Sequence, residues 1–146
     1  MNDNQLIFEA YLESAEQPKM YTNSDGTAKY WCIGTKYHRE DGPAIEYSNG
    51  LKEWWLNGKR HRADGGPTSV HPDGRKIWRV NDLVHREDGP ACITPDGKEY
   101  FYLDDEQLTP QKWAEKVLQK QGKPADPESV KEFLRPILAK QTKDLI

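Results

Sequence analysis

His38-Arg39-Glu40-Asp41-Gly42-Pro43-Ala44 and His85-Arg86-Glu87-Asp88-Gly89-Pro90-Ala91 carry the same seven residues in one chain. Between them lies a version one residue longer, His61-Arg62-Ala63-Asp64-Gly65-Gly66-Pro67-Thr68. The residues ahead of each histidine match as well. Seven before stand Trp31, Trp54 and Trp78, and five before stand Ile33, Leu56 and Val80. Then come the pairs Gly34-Thr35, Asn57-Gly58 and Asn81-Asp82. The histidines are 23 and 24 residues apart. A period of that size signals stacked supersecondary units, not a domain built around one catalytic site.

Asn57-Gly58 is a strong type I′ hairpin signal, because both central residues of that turn need φ > 0. Gly34-Thr35 suits type II′, while Asn81-Asp82 and Asp104-Asp105 fit less well. With two-residue turns, counting outward places Trp31 opposite His38, Trp54 opposite His61 and Trp78 opposite His85. Facing residues of an antiparallel pair share one side of the sheet, so each hairpin sets a tryptophan against an imidazole. A degenerate fourth copy sets Phe101 opposite Leu108, and an atypical terminal unit is what a capped stack requires. A second turn closes each unit at Ser24-Asp25-Gly26, Ser48-Asn49-Gly50, Pro72-Asp73-Gly74 and Pro95-Asp96-Gly97.

The expected fold is therefore mainly β: an antiparallel meander of stacked hairpins over residues 23–108, with helical segments at 1–22 and 109–146. In the first segment Leu6, Ile7, Ala10 and Tyr11 sit at helical spacing, with a strand as the alternative. In the last, Thr109 reads as an N-cap with Pro110 at the first helical position. Trp113, Val117 and Leu118 form an apolar stripe, and Gly122 ends that helix. A second helix starts at Asp126-Pro127, and Pro136 within it predicts a kink or a break. Both tails read as lids for the open ends or one face of the sheet.

The chain has 146 residues and a formal net charge of −3, so non-specific nucleic-acid binding is not expected. Residues 1–106 carry 13 Lys+Arg against 19 Asp+Glu, and residues 107–146 carry 8 against 5. No basic leader opens the sequence and no apolar stretch is long enough to span a membrane. Cys32 and Cys92 occupy different repeat phases and read as free thiols. Together these features predict a cytoplasmic protein.

Three histidines alongside three aspartates invite a metal or acid–base reading. Yet the histidines fall one per unit, so a packing role is expected instead. His71, ahead of Pro72, reads as solvent-exposed. Arg39/Asp41, Arg62/Asp64 and Arg86/Asp88 recur in step; the aspartates are expected to fold back on the turn backbone, and the arginines to bridge to aspartates of adjacent units. The opposite sheet face pairs Cys32 with Tyr37, Trp55 with Arg60, Arg79 with Val84, and Tyr102 with Gln107. These positions vary from unit to unit, and aromatic residues with arginine are the composition of binding hot spots. Tyr37, Trp55, Arg60, Arg79 and Tyr102 are the partner-binding candidates, unless the terminal helices cover that face. No residue is assigned to catalysis, to a cofactor or to a metal, and no phosphate-binding loop, zinc spacing, CxxC or nucleophile elbow occurs.

The period, the tryptophan strand, the turn and the following histidine resemble MORN repeats. The closer likeness is to a variant class with the core His-Arg-Glu-Asp-Gly-Pro-Ala, similar to those in bacterial and bacteriophage proteins. His38–Ala44 and His85–Ala91 match it fully; the middle copy departs at Ala63, the extra glycine and Thr68. Ordinary MORN units carry a Tyr-x-Gly element and a glycine after the histidine, and this chain lacks both. The phospholipid association of some members is therefore not carried over.

The resemblance implies a non-catalytic binding module, phage-encoded, that blocks or redirects a host defence or regulatory protein. One alternative is a nucleic-acid or anion binder using Arg60, Arg79 and the basic tail; another is a structural or assembly protein whose edge strand pairs chains into a homo-oligomer.

Overall fold

A computed structural model of the protein describes residues 16–144. β1 (Lys19–Thr22) and β2 (Ala28–Ile33) open an antiparallel sheet, and β3 (Lys36–Tyr37) folds back on the end of β2. β4 (Ile45–Tyr47) and β5 (Lys52–Glu53) continue it. β6 (Trp55–Leu56) and β7 (Lys59–Arg60) project as a hairpin before the chain returns as β8 (Ser69–Val70) and β9 (Lys76–Ile77). β10 (Arg79–Val80) and β11 (Leu83–Val84) project in turn, followed by β12 (Cys92–Ile93), β13 (Glu99–Leu103) and β14 (Glu106–Leu108). The main sheet runs β1-β2-β4-β5-β8-β9-β12-β13-β14. Helices α1 (Pro110–Lys120) and α2 (Pro127–Asp144) follow.

The sheet begins at Lys19, inside the 1–22 segment expected to be helical with a strand as the alternative; its described end is strand, because the Asn23–Gly26 turn brings Lys19–Thr22 against β2. Leu6, Ile7, Ala10 and Tyr11 lie outside the described residues. Asn57 and Gly58 both have positive φ, and so do Asn81, Asp82, Asp104 and Asp105. The latter four adopt that backbone without glycine, which Asn and Asp tolerate best among L-residues.

The hairpins join through their turns. The backbone N–H of the first turn residue donates to the imidazole of the preceding hairpin: Asn57 to His38 Nδ1 (3.0 Å), Asn81 to His61 Nδ1 (3.2 Å) and Asp104 to His85 Nδ1 (3.0 Å). The second turn residue donates to a carbonyl one residue before that histidine: Gly58 to Tyr37, Asp82 to Arg60 and Asp105 to Val84. Asp82 Oδ1 returns a bond, accepting from the Arg60 backbone at 2.9 Å, and Asp105 does the same for Val84.

The arginine of each loop stays at home. Arg39, Arg62 and Arg86 lie over Trp31, Trp54 and Trp78, with Cζ 3.7, 4.0 and 4.1 Å from the ring centroids. Their Nη1 groups donate to the carbonyls of Pro43, Pro67 and Pro90. Arg39 and Arg86 donate Nε to Asp41 and Asp88; Arg62 Nε lies 2.7 Å from Asp64 without the alignment of a hydrogen bond. The expected ladder to neighbouring units is thus replaced by pairing within each loop, because an arginine stacked on its own tryptophan points its Nε at the aspartate two residues on. Asp64 alone of the three also folds back on its turn, onto the Gly66 N–H. A Cβ at Gly42, Gly66 or Gly89 would stand 3.1, 2.6 or 2.9 Å from the guanidinium carbon, so glycine is what leaves room for the arginine. Ala44, Thr68 and Ala91 are fully buried, which limits that position to small residues.

The hydrophobic core lies at one end. Phe101 packs against Trp113, ring centroids 4.8 Å apart, among Val117, Leu118, Val130 and Leu134, with Leu103 and Leu108 at its margin. Thr109 Oγ1 caps α1 by accepting from the Lys112 N–H, and Gly122, at positive φ, ends it. Trp113 Nε1 donates to the Arg86 carbonyl at 2.8 Å, and Lys120 pairs with Glu87 at 2.7 Å, tying α1 to the third histidine loop. Pro136 does not break α2, which runs unbroken through it. No helix among the described residues is long and apolar enough to cross a membrane.

Replacing Trp113 with alanine removes this core's centre and leaves the Arg86 carbonyl without its donor; a loss of about 3–5 kcal/mol is expected by urea denaturation. Asp82→Gly keeps the positive φ, as Gly58 does, but removes the acceptor for Arg60. The bonds from Arg60, the backbone one most, hold the Asp82 carboxyl below the ordinary aspartate range. Its contribution is therefore complete above that range and fades as pH falls through the lowered folded value. Asp82 is part-exposed, so Asp82→Gly is expected to cost only about 1 kcal/mol at neutral pH. That difference should shrink in denaturation series taken below roughly pH 4.

Candidate functional site

Strand alternation divides the sheet's side chains between two faces. Trp31, His38, Phe101 and Leu108 share one. The His38, His61 and His85 N–H groups donate to the carbonyls of Trp31, Trp54 and Trp78, and Phe101 pairs directly with Leu108. On this face the tryptophans carry arginines and the imidazole Nδ1 atoms serve neighbouring turns. The Nδ1 bond recurs in all three, but the surroundings differ: Ala63 leaves His61 without the glutamate that follows the other two, and His85 Nδ1 also lies 3.1 Å from the Asp104 carboxylate. Nε2 of His38 and of His85 lies 3.4 and 3.6 Å from Glu40 and Glu87. A groove of 510 Å³ between the first two loops is lined by Arg39, Asp41, Trp54, His61, Arg62 and Asp64, whose arginines and aspartates face one another across 2.7–3.0 Å. Among the described residues, no three His, Cys, Asp or Glu converge in a way that would hold a metal ion. His71 is half-buried in its turn.

The other face carries a row of rings. Tyr21 of β1 stacks on Tyr30 of β2 at 5.6 Å between centroids and 19° between planes. Tyr30 meets Tyr37 edge-on at 5.9 Å, and Tyr37 meets Trp55 at 5.3 Å. Arg60, opposite Trp55 in register, ends the row with its Cζ 5.6 Å from the indole centroid. Trp55 Nε1 donates to Glu53 at 3.0 Å, and Arg60 Nε to Asp82 at 3.1 Å, so the Trp55–Arg60 end of the row is braced. Tyr21 and Tyr37 are 46% and 37% exposed, and Tyr47 beside them 36%, values that leave the rings accessible while still packed. Burial, reinforced by Glu53, pushes the Tyr47 hydroxyl above its ordinary pKa.

Of the partner-binding candidates, Tyr37, Trp55 and Arg60 come together. Arg79 does not join them as a free cation: its guanidinium donates to Ser69 Oγ at 2.7 Å, and burial, then the like charge of Arg60, lowers its pKa. Tyr102 lies toward the helical end, with its hydroxyl on Gln107. α1 and α2 pack on the side of Phe101 and Leu108, the side away from Tyr102, and leave the tyrosine row uncovered. Cys32 and Cys92 are free, half-buried thiols on the tyrosine face, with pKa values raised by burial.

Comparison with protein-family models, with curated proteins and with solved structures returns no match. The site therefore rests on its own geometry.

Tyr21, Tyr30 and Tyr47 were not among the candidates. Tyr30 was within reach: one residue before Trp31, it must face away from Trp31 and toward the Cys32 side. Tyr21 was hidden because the strand that carries it was read as part of a terminal segment.

The division between faces is measurable. Trp54→Ala strips the ring under Arg62 and is expected to cost about 3 kcal/mol. Trp55→Ala is expected to cost no more than about 1.5 kcal/mol. Equal losses in matched thermal unfolding would mean that Trp55 is a support and not a presented group.

Proposed function

We propose that this protein is a non-catalytic binding module that presents the Tyr21–Tyr30–Tyr37–Trp55–Arg60 row to a protein partner. The observation that carries the reading is a continuous run of packed, part-exposed rings ending in a braced arginine, on a sheet whose other face is spent on its own cohesion. Tyr and Trp supply large contact area at low entropic cost, and with Arg they make up most binding hot spots. The recurring histidine loop supports treating each hairpin as a MORN-like unit of the His-Arg-Glu-Asp-Gly-Pro-Ala variety. A host regulatory or defence protein is the partner that the phage-like variant core favours.

Nucleic acid is the less favoured ligand. Arg60 is paired with Asp82 and Arg79 is bound to Ser69, so the two sheet cations of that reading are already engaged, which leaves it the basic tail alone. An enzyme is less favoured still, because in all three hairpins the imidazole Nδ1 is taken up by a turn N–H.

The test is capture from host-cell lysate with quantitative mass spectrometry, run in parallel on the native chain, Tyr37→Ala, Trp55→Ala and a control, Lys29→Ala. A stoichiometric protein retained by the native chain and by Lys29→Ala, and weakened at least about tenfold by the two aromatic changes, is expected. Retention of the same protein by all four would move the interface off this face.

A further inference from the structure

Among the described residues, no strand pairs with the outer edge of β1. Asn23 donates its N–H to Ala28, and pairing alternates from there along the register Thr22↔Lys29, Tyr21↔Tyr30, Met20↔Trp31 and Lys19↔Cys32. Lys19 and Tyr21 thus spend their backbone groups on β2. Trp31, opposite Met20, confirms the alternation by turning its own N–H and carbonyl the other way, to Ala44 and from His38. Met20 and Thr22 therefore direct their N–H and carbonyl outward. All four residues of β1 are exposed, and Met20 and Tyr21 are among the most exposed large apolar side chains of the described residues. Pro18 stands just ahead of the strand and Lys19 opens it, but Met20, Tyr21 and Thr22 carry neither proline nor charge, although natural edges are normally protected.

The opposite end of the sheet is closed. β13 and β14 end in a hairpin whose histidine position is Leu108, and α1 packs over it. Leu108 has no ring nitrogen to receive another turn, so head-to-tail stacking of copies is blocked. What remains is pairing of like with like about a two-fold axis, the commonest closed arrangement of identical chains.

We infer that two copies of this protein pair antiparallel through β1, with Tyr21 of each on the two-fold axis. In that register Met20 of one copy faces Thr22 of the other, and each such pair exchanges both backbone bonds. Lys19 falls opposite Asn23, so no like charges meet. Tyr21 sits at a position that makes no backbone bonds across the axis, where side chains approach most closely. The two aromatic rows then join into one that runs from Trp55 through Tyr21 of both copies to the second Trp55. The pairing does not depend on the identity, or the existence, of another protein partner.

Sedimentation equilibrium of the full chain over a micromolar-to-submillimolar range tests the inference. The native chain is expected to shift from 16.9 kDa toward twice that mass as concentration rises. Thr22→Pro removes an outward N–H at a place where an edge strand tolerates proline. Tyr21→Lys places two like charges on the axis. Each is expected to weaken association at least about tenfold while far-ultraviolet circular dichroism stays native. If Thr22→Pro fails to fold, Tyr21→Lys decides alone. A chain that remains at 16.9 kDa throughout, or a dimer that neither change weakens, overturns the inference.

Discussion

The structure hangs on an imidazole that accepts. In three hairpins the histidine Nδ1 receives the first N–H of the next turn. The bond spans 19 residues for His38 and His85 and 20 for His61. That span is the chain needed to leave the loop, descend one strand, turn and climb the next. The extra residue of the middle copy falls between Arg62 and Pro67, where a loop absorbs it, and not in the strands, where it would have reversed every later side chain.

The loop motif reads as a holder for one guanidinium. Tryptophan lies beneath it, aspartate takes Nε or lies beside it, the proline carbonyl takes Nη1, and glycine leaves space above. The small residue that follows is fully buried in each copy. This spends one face of the sheet entirely on cohesion. The other face carries little of that burden, so its residues differ from hairpin to hairpin, and rings accumulate toward β1.

Much of the fold was legible because two local signals agree. Turn chemistry fixed the hairpin register, and period-two alternation then fixed which residues share a side. Thr109-Pro110 and Gly122 marked α1 for equally local reasons. Three features escaped. β1 has no histidine loop of its own, so nothing periodic announced it. Arg39 was assigned to the neighbouring unit because sequence spacing does not reveal that stacking on Trp31 aims its Nε inward. Pro136 promised a kink or a break, and the break does not occur: α2 is held by packing of Val130, Leu134 and Ile137, which overrides a single lost backbone bond. At the candidate site, Tyr37, Trp55 and Arg60 followed from alternation. The dispersal of Arg79 depended on Ser69, which no pattern singled out, while Tyr102, paired with Gln107 as expected, sits on the last hairpin, away from the row.

One end of this sheet holds the fused core of Phe101, Trp113 and the helices, while among the described residues the other buries little beyond Ala28, Ala44 and Ile45. Each hairpin touches little beyond its immediate neighbours, so order has to spread along the chain one hairpin at a time, outward from the helical end. Amide protection should accordingly grade along the sheet, greatest beside α1 and least at β1. The tyrosine row lies at the shallow end of that gradient. A surface there can adjust to what it meets through opening of the first hairpin alone, without disturbing the core that keeps the rest folded.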